Sequence, residues 1–427
     1  MKKLPRVAYL TGQYPEVSLT FIQREIEALR DLGAEVLTCS VRRTPPEQHP
    51  GEAEKEAART TFHILEQMKN PLKLLAAQSV LFTRPRRYLQ ALKLALSMRP
   101  AGLRATAYQV MFFLEATILA RHLEEKNVEH LHNHFVFGGC TVAAIASKLT
   151  GIPYSFTLHG PADLLRPYYW DLATKTANAR FVATISHYAR SQVMFFSDPA
   201  HWDKLHIIHC GVFPDRYAAT DSPAIPPRRE GEVRLLFVGR LAPVKGLRVL
   251  FKALAEVVPD LPHLHMVVVG DGPDRALLEA AAKPLGDAVT FTGYLSQAEV
   301  AQVMQGTDVL VLPSFAEGVP VVLMEALASA RPVIATQVAG VSELVEDGTT
   351  GFLVPPGDAT ALADRIRRLA SDPELRARLG AAGPAVVATD FNIRTEAARL
   401  ATLFAGAADG AIRPDPWAAK DADDPQP

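Results

Sequence analysis

The chain has 427 residues, with 45 Lys and Arg against 46 Asp and Glu and a formal net charge of -1. Hydrophobic residues make up 48% and charged residues 21%. This excludes disorder for most of the chain, and also a global basic field that would recruit nucleic acid. Cys39, Cys140 and Cys210 are far apart and odd in number, which excludes a disulfide framework or Cys-rich metal site and points to a reducing compartment.

In chain order, MKKLPRVAYL carries two lysines, but its apolar run breaks at Thr11-Gly12-Gln13 with no small-residue cleavage site. It reads as a first strand, Val7–Leu10, and not as a signal peptide. Further strands are predicted at Glu35–Ser40, Val128–His132, Tyr154–Leu158, Phe181–Thr184 and Leu205–His209. Several end in small or polar residues, among them Asn133-His134, His159-Gly160 and Ser186, where doubly wound sheets bind ligands. Residues 61–121 hold nine Lys and Arg against two acids, Glu66 and Glu115. Within them Arg86, Gln90, Lys93 and Ser97 follow helical spacing while Leu89, Leu92 and Leu96 line another face, a basic amphipathic helix. Two readings stay open for it: helices packed on the first domain with a solvated cationic face, or a patch for an anionic membrane surface.

The stretch AATDSPAIPPRREGE, residues 218–232, is rich in Pro and charge and reads as a linker. A second alternating series follows, with strands predicted at Val233–Val238, His265–Val269, Ala288–Thr292, Asp308–Leu312, Pro332–Thr336 and Gly351–Val354. Helices are expected after each of the first five, then at Leu362–Leu369, Pro373–Leu379 and Asn392–Phe404. The expected organisation is an α/β domain over 1–217, the linker, a second α/β domain over 233–390, a helix over 391–408 returning to the first domain, and a disordered tail over 409–427. No uncharged apolar stretch reaches the roughly 18 residues of a membrane span, so a cytoplasmic protein is expected, peripheral at the inner membrane face if the basic patch is used.

Three segments carry chemistry. In SFAEGVPVVLMEALA (Ser314–Ala328) a strand end leads into a loop with Glu317 and Gly318. Pro320 then fits a first helical turn, and Glu325 follows on the helix among apolar neighbours. The loop thus offers two carboxylates and free helix N–H groups, which suit sugar hydroxyls and anionic oxygens. In LLFVGRLAPVKGL (Leu235–Leu247) Arg240 and Lys245 converge with a helix start at a strand end, a phosphate site by electrostatics but not a P-loop. In VVVGDGPDR (Val267–Arg275) two glycines suit a tight strand-to-helix turn, with Arg275 where a dinucleotide fingerprint would want its third Gly. His132 and His134 flank Asn133 with no third ligand nearby, which favours a structural or acceptor-side role; the only D-x-D, Asp421–Asp423, lies in the tail, so no metal site is expected.

These elements in this order resemble glycosyltransferase family 4. The paired Glu317 and Glu325, the GR…KG loop, VVGDGP, VTFTGYL and TGFLVPPGD carry the resemblance, and YPEVSLTFIQREI (Tyr14–Ile26) resembles its exopolysaccharide-biosynthesis branch. The resemblance implies a GT-B fold: two Rossmann-like, doubly wound parallel-sheet domains facing a central cleft. It also implies a retaining, metal-independent hexosyltransferase without cofactor, moving a sugar from a nucleotide-diphosphate donor to a glycan or lipid-linked acceptor in polysaccharide assembly. By family role Arg240 and Lys245 would hold the diphosphate, with backbone at Gly12. Glu325 would bind the ribose, Glu317 with Gly318 and Val319 the donor sugar, and backbone at Gly293 and Tyr294 the base. His159 would face the donor sugar across the cleft. A nucleotide-sugar epimerase of the same fold, or a non-catalytic scaffold, are the alternatives.

Overall fold

The computed structural model of the chain describes residues 4–49, 51–217 and 227–406. The expected tail over 409–427 and the linker's 218–226 lie outside the described residues. The chain divides into two compact units. One holds the residues up to Ile208 and those from Arg394 onward; the other is His209–Ile393.

Among the described residues the first unit is built on a sheet of β1 (Val7–Gln13), β2 (Val36–Arg42), β3 (Phe62–His63), β4 (His130–His134), β5 (Tyr154–Leu158), β6 (Val182–Thr184) and β7 (Leu205–Ile207). All neighbours are parallel, in the order β3-β2-β1-β4-β5-β6-β7. The second unit carries β8 (Val233–Val238), β9 (Leu264–Val269), β10 (Val289–Gly293), β11 (Val309–Leu312), β12 (Val333–Thr336) and β13 (Gly351–Val354), also parallel, in the order β10-β9-β8-β11-β12-β13. Central strands such as VLVL and LHMVVV are buried at every position. Helices on both faces leave them no solvent-facing side, which is why VLVL reads as an unbroken apolar run and LHMVVV is interrupted only by His265. Strand order reverses between β1 and β4 in one sheet and between β8 and β11 in the other. These are the points where loops at the carboxyl ends diverge and leave a crevice.

The structure revises several expectations. β1 continues through Gln13, pairing Thr11 with Ser40 and Gln13 with Arg42, so Gly12 lies in the strand and not in a loop after it. The helix expected after β12 is only a 3-10 turn, Ala339–Glu343. The helix expected to end at Leu379 runs to Asp390 through Pro384. Tertiary packing overrides propensity there: a side chain at Gly380 or Gly383 would meet the backbone of Ala330 or Leu327 at 2.3 and 2.6 Å, so these glycines allow close approach. The second unit also begins before residue 217. Val212 N–H donates to the Phe391 carbonyl and Ile393 N–H to the Val212 carbonyl, stitching its two ends together. The linker's last residues are equally tied to this unit. Arg228 pairs with Asp308 at 2.5 Å, and buried Glu232 pairs with buried Arg234 at 2.5 Å.

Residues 61–121 pack against the first sheet. In the helix Pro85–Ser97, Ala91 and Ala95 are buried and Leu92 rests on the core, whereas Leu89 and Leu96 stay exposed. Arg87 donates to the Thr150 carbonyl and Arg84 pairs with Glu124, so part of the basic face is engaged within the protein.

Candidate functional site

In the second unit three loops meet at the carboxyl ends of β8, β9 and β11. After β8 the chain passes Gly239 and the exposed Arg240, makes a 3-10 turn at Pro243–Lys245 and reaches Gly246 at φ +67°. A Cβ on Gly246 would lie 2.0 Å from the Pro313 carbonyl oxygen, so the turn presses directly on the residue following β11. Phe315 N–H donates to the Val244 carbonyl at 2.8 Å and Lys245 Nζ to Glu317 Oε1 at 2.6 Å, lacing the two loops together. Gly270, at φ +131° after β9, is pressed in the same way on Gly239, and Leu241 N–H donates to the Asp271 carbonyl at 2.9 Å. The glycines of the GDGP turn therefore serve loop-to-loop packing, while Arg275 forms surface ion pairs with Asp271 and Glu279.

Glu317 and Lys245 have side chains only 11% and 22% exposed. Gly318 is half-buried, Val319 is buried, and the helix Val321–Ala328 then starts, with Pro320 just before it rather than in its first turn. Glu325 is buried on that helix and accepts a hydrogen bond from the Tyr217 hydroxyl at 2.9 Å. Tyr217 was invisible in the sequence, since it stands 108 positions away. Gly293 closes β10 at φ +80° with its carbonyl accepting from Gly270 N–H at 2.8 Å, and Tyr294 beside it is about half exposed.

In the first unit Gly12 and His159 line one cavity of about 1250 Å³, as do Gly138 and Gly139 at the start of the helix Gly138–Thr150. A Cβ on Gly139 would stand 3.6 Å from Gly12 N, so β1 and this helix start approach closely beside the β1/β4 reversal. His159 N–H donates to Asp163 Oδ2 and Val136 N–H to Asp163 Oδ1, both at 2.8 Å. Asp163 thus fixes the loops after β4 and β5.

Behind His159 lies a buried polar network. His134 Nδ1 and His159 Nε2 are 2.8 Å apart, and Ser155 Oγ stands 2.7 Å from both His130 and His132. Thr157 Oγ1 is 2.9 Å from the other nitrogen of His132. The Tyr9 hydroxyl donates to Glu25 Oε1 at 2.6 Å. Burial pushes His130 and His159 down to about 3 and His132 and His134 well below the usual imidazole range, so all four are neutral. Burial also raises Glu25 to about 7, against the Tyr9 hydrogen bond. Glu25 corrects one expectation: its carboxylate and the nitrogens of His132 and His134 lie within 4.8 Å of one another, so a third ligand type is nearby. His132, however, is engaged at both ring nitrogens by hydroxyls, which favours a self-contained hydrogen-bond network. Asp421–Asp423 and Ser186 add nothing to either site: the former lies outside the described residues, and the Ser186 hydroxyl caps the helix His187–Phe196.

Two Rossmann-like parallel-sheet units, with cations and carboxylates gathered at the second unit's strand-order reversal, define the GT-B class of glycosyltransferases. Residues 20–216 match the family described as Glycosyltransferase Family 4, and residues 219–386 match Glycosyl transferases group 1. The chain belongs to glycosyltransferase family 4. It is 31% identical over 306 residues to the D-inositol 3-phosphate glycosyltransferase of Streptomyces scabiei, covering 65% of this chain and 68% of that one. It is 25% identical over 424 residues to the amylovoran biosynthesis glycosyltransferase AmsK of Erwinia amylovora, covering 93% and 99%. Similarity to the alpha-D-kanosaminyltransferase of Streptomyces kanamyceticus is 34% over 192 residues, or 44% of this chain, and spans only 47% of that protein. In fold the chain resembles Anabaena HepE in complex with UDP, with a TM-score of 0.71 at 19% identity over 94% of this chain and all of that one.

Proposed function

We propose that the chain is a retaining, metal-independent hexosyltransferase that moves a sugar from a nucleotide-diphosphate donor to a glycan or lipid-linked acceptor in cell-surface polysaccharide assembly. The observation that carries this reading is the Lys245–Glu317 pair, 2.6 Å apart at the β8/β11 reversal. Arg240 and Lys245 take the diphosphate, where fixed cations offset the charge that grows as the sugar–phosphate bond breaks. Glu325 takes the ribose hydroxyls, and Tyr217 orients its carboxylate. Glu317, with the backbone of Gly318 and Val319, takes the donor sugar; the backbone at Gly293 and Tyr294 takes the base. Gly12, assigned by its backbone to the diphosphate, and His159, assigned to the donor sugar as a neutral hydrogen-bonding group, both line the first unit's cavity. No carboxylate is assigned as a nucleophile, so attack is assisted by the leaving phosphate.

Calorimetry with UDP and turnover assays with candidate donors test this. UDP binding and turnover are expected to persist in excess EDTA, and Glu325→Ala is expected to weaken UDP by about 1.5–3 kcal/mol, the size of a charge-assisted hydrogen bond. Activity lost to EDTA and restored by Mg²⁺ would sink the metal-independent assignment. Turnover of donor without acceptor would mark an epimerase, and an inverted product anomer would overturn retention.

The same proposal places the enzyme at an anionic membrane surface. No helix among the described residues is long and apolar enough to cross a membrane. Residues 69–103 nevertheless expose Leu72, Leu75, Phe82, Leu89 and Leu103 alongside Lys69, Lys73, Arg86 and Lys93. Each cation near such a surface contributes about 1 kcal/mol. The protein is expected to co-sediment with anionic vesicles and not neutral ones, and Arg86→Glu with Lys93→Glu to release it without unfolding. Arg87 is left intact because its guanidinium holds Thr150. Equal pelleting of wild type and variant would refute the membrane reading.

A further inference from the structure

Among the four imidazoles of the first unit, His134 and His159 share a hydrogen bond that can run in either direction. His134 Nδ1 and His159 Nε2 lie 2.8 Å apart. Both rings are neutral, so each carries one hydrogen and only one of the two facing nitrogens donates. The direction decides what His159 offers to the cavity it lines. If His134 donates, His159 carries its hydrogen at Nδ1. If His159 donates from Nε2, its Nδ1 is an acceptor.

Glu25 biases that choice. It belongs to the segment YPEVSLTFIQREI, lies on the helix Thr20–Asp31 and is buried. The Tyr9 hydroxyl anchors its Oε1 at 2.6 Å, and His134 Nε2, that ring's other nitrogen, stands 3.5 Å from the same oxygen. This is too long for a strong hydrogen bond, and His134 Nε2 has no other hydrogen-bond partner among the described residues. It is short enough for the carboxylate's charge to act on the ring, because a buried site screens little. A hydrogen on Nε2 faces negative charge, whereas a bare Nε2 sets its lone pair against it. The favoured arrangement therefore has hydrogen on His134 Nε2, His134 Nδ1 as acceptor and His159 donating from Nε2. Phe21, four positions before Glu25 on the same helix, and Phe135 hold the His159 ring at centroid distances of 4.6 and 4.8 Å.

We infer that Glu25 is a positioning residue: acting through His134, its carboxylate fixes the His159 tautomer with hydrogen on Nε2 and with Nδ1 as an acceptor for a hydroxyl of the donor sugar. The sugar contact rests on the transferase reading; the tautomer does not. Glu25→Gln keeps the side chain's shape and removes its charge. An amide offers His134 an oxygen or a nitrogen with equal ease, so the bias is lost and the reversed chain, with the His159 hydrogen on Nδ1, becomes populated.

Nitrogen-15 NMR of protein labelled at histidine reads each ring's tautomer, with the His159 signals assigned through His159→Gln. At about pH 8.5 Glu25 is ionised, since burial, opposed by the Tyr9 hydrogen bond and reinforced by the Glu396 charge, raises it to about 7. Wild type is expected to carry the His159 hydrogen on Nε2, and Glu25→Gln to show a mixture with the Nδ1 form. Ser155→Ala disturbs the same network at His130 and His132 and is expected to keep the wild-type pattern. Hydrogen on Nδ1 in wild type, an unchanged tautomer in Glu25→Gln, or an equal change in Ser155→Ala would overturn the positioning role. The wild-type spectrum decides even where a variant fails to fold. Initial rates test the sugar contact: KM for the nucleotide-sugar donor is expected to rise about two- to tenfold in Glu25→Gln, the loss of one hydrogen bond, while UDP, which lacks the sugar, binds as in wild type. A shifted tautomer with unchanged donor KM would overturn the contact. Absence of both UDP binding and turnover in wild type would refute the transferase reading instead and leave the tautomer result standing.

Discussion

Lys245→Ala is expected to lower turnover by about two to three orders of magnitude, the usual cost of removing one preorganised group aimed at developing charge. Nucleotide affinity should fall by no more than about tenfold, because the diphosphate becomes more negative only as the sugar departs. The pairing with Glu317 sharpens this expectation. With the ammonium gone, the Glu317 carboxylate, 11% exposed, faces an incoming diphosphate without a counter-charge. Part of the affinity loss is therefore repulsion, and Lys245→Ala with Glu317→Gln should recover binding without recovering turnover. Such non-additivity is the signature of groups in contact. Initial rates and calorimetry on the two variants check it. Equal, small losses in both quantities would place Lys245 outside the chemistry.

Glu232→Ala is expected to destabilise the second unit by about 3–5 kcal/mol, the cost of leaving a buried charge without its partner. Arg234 has no exposed side-chain surface, and its Nε donates to Glu232 Oε1 at 2.5 Å. His265 Nδ1 stands 3.2 Å from the same oxygen, and Arg229 N–H donates to Oε2 at 2.7 Å. Burial alone would raise the Glu232 carboxyl, but its hydrogen bonds from Arg234 and Arg229 outweigh burial and hold it at about 2 against an ordinary 4.5. A depressed carboxyl stabilises the fold fully above its unfolded value. The stability gap between wild type and Glu232→Ala should thus be full above about pH 4.5 and shrink as pH falls towards 2. Urea denaturation across that range measures it. A gap below about 1 kcal/mol at pH 7 would mean that water reaches Arg234. Replacing both Glu232 and Arg234 by Met should cost far less than the single change.

The strands of the second unit were legible almost residue by residue, because doubly buried parallel strands such as LLFV and VLVL leave an unbroken apolar run. The residues at their carboxyl ends were legible too: Lys245 and Glu317 were singled out separately, and the fold brings them to 2.6 Å. What sequence could not carry was pairing across long separations. Tyr217 on Glu325, Glu25 beside His132 and His134, and Gly139 against Gly12 all depend on which elements the tertiary fold brings together. The two-residue β3 is too short to show alternation.

The first unit is discontinuous: Arg394 onward belongs to it, and Phe404 lies against Tyr9, His130, His132 and Phe181. The second unit is in effect an insertion whose ends are hydrogen-bonded to each other at Val212 and Phe391–Ile393. Emergence from the ribosome and completion of folding therefore run in opposite order. The half synthesised first must wait, with the ring stack around His130 and His132 uncovered, until its final helix arrives. The half synthesised second has all its strands as soon as Val354 is out. A nascent chain stalled before residue 394 would carry a finished second unit and an unfinished first one, the state in which chaperones have most to hold.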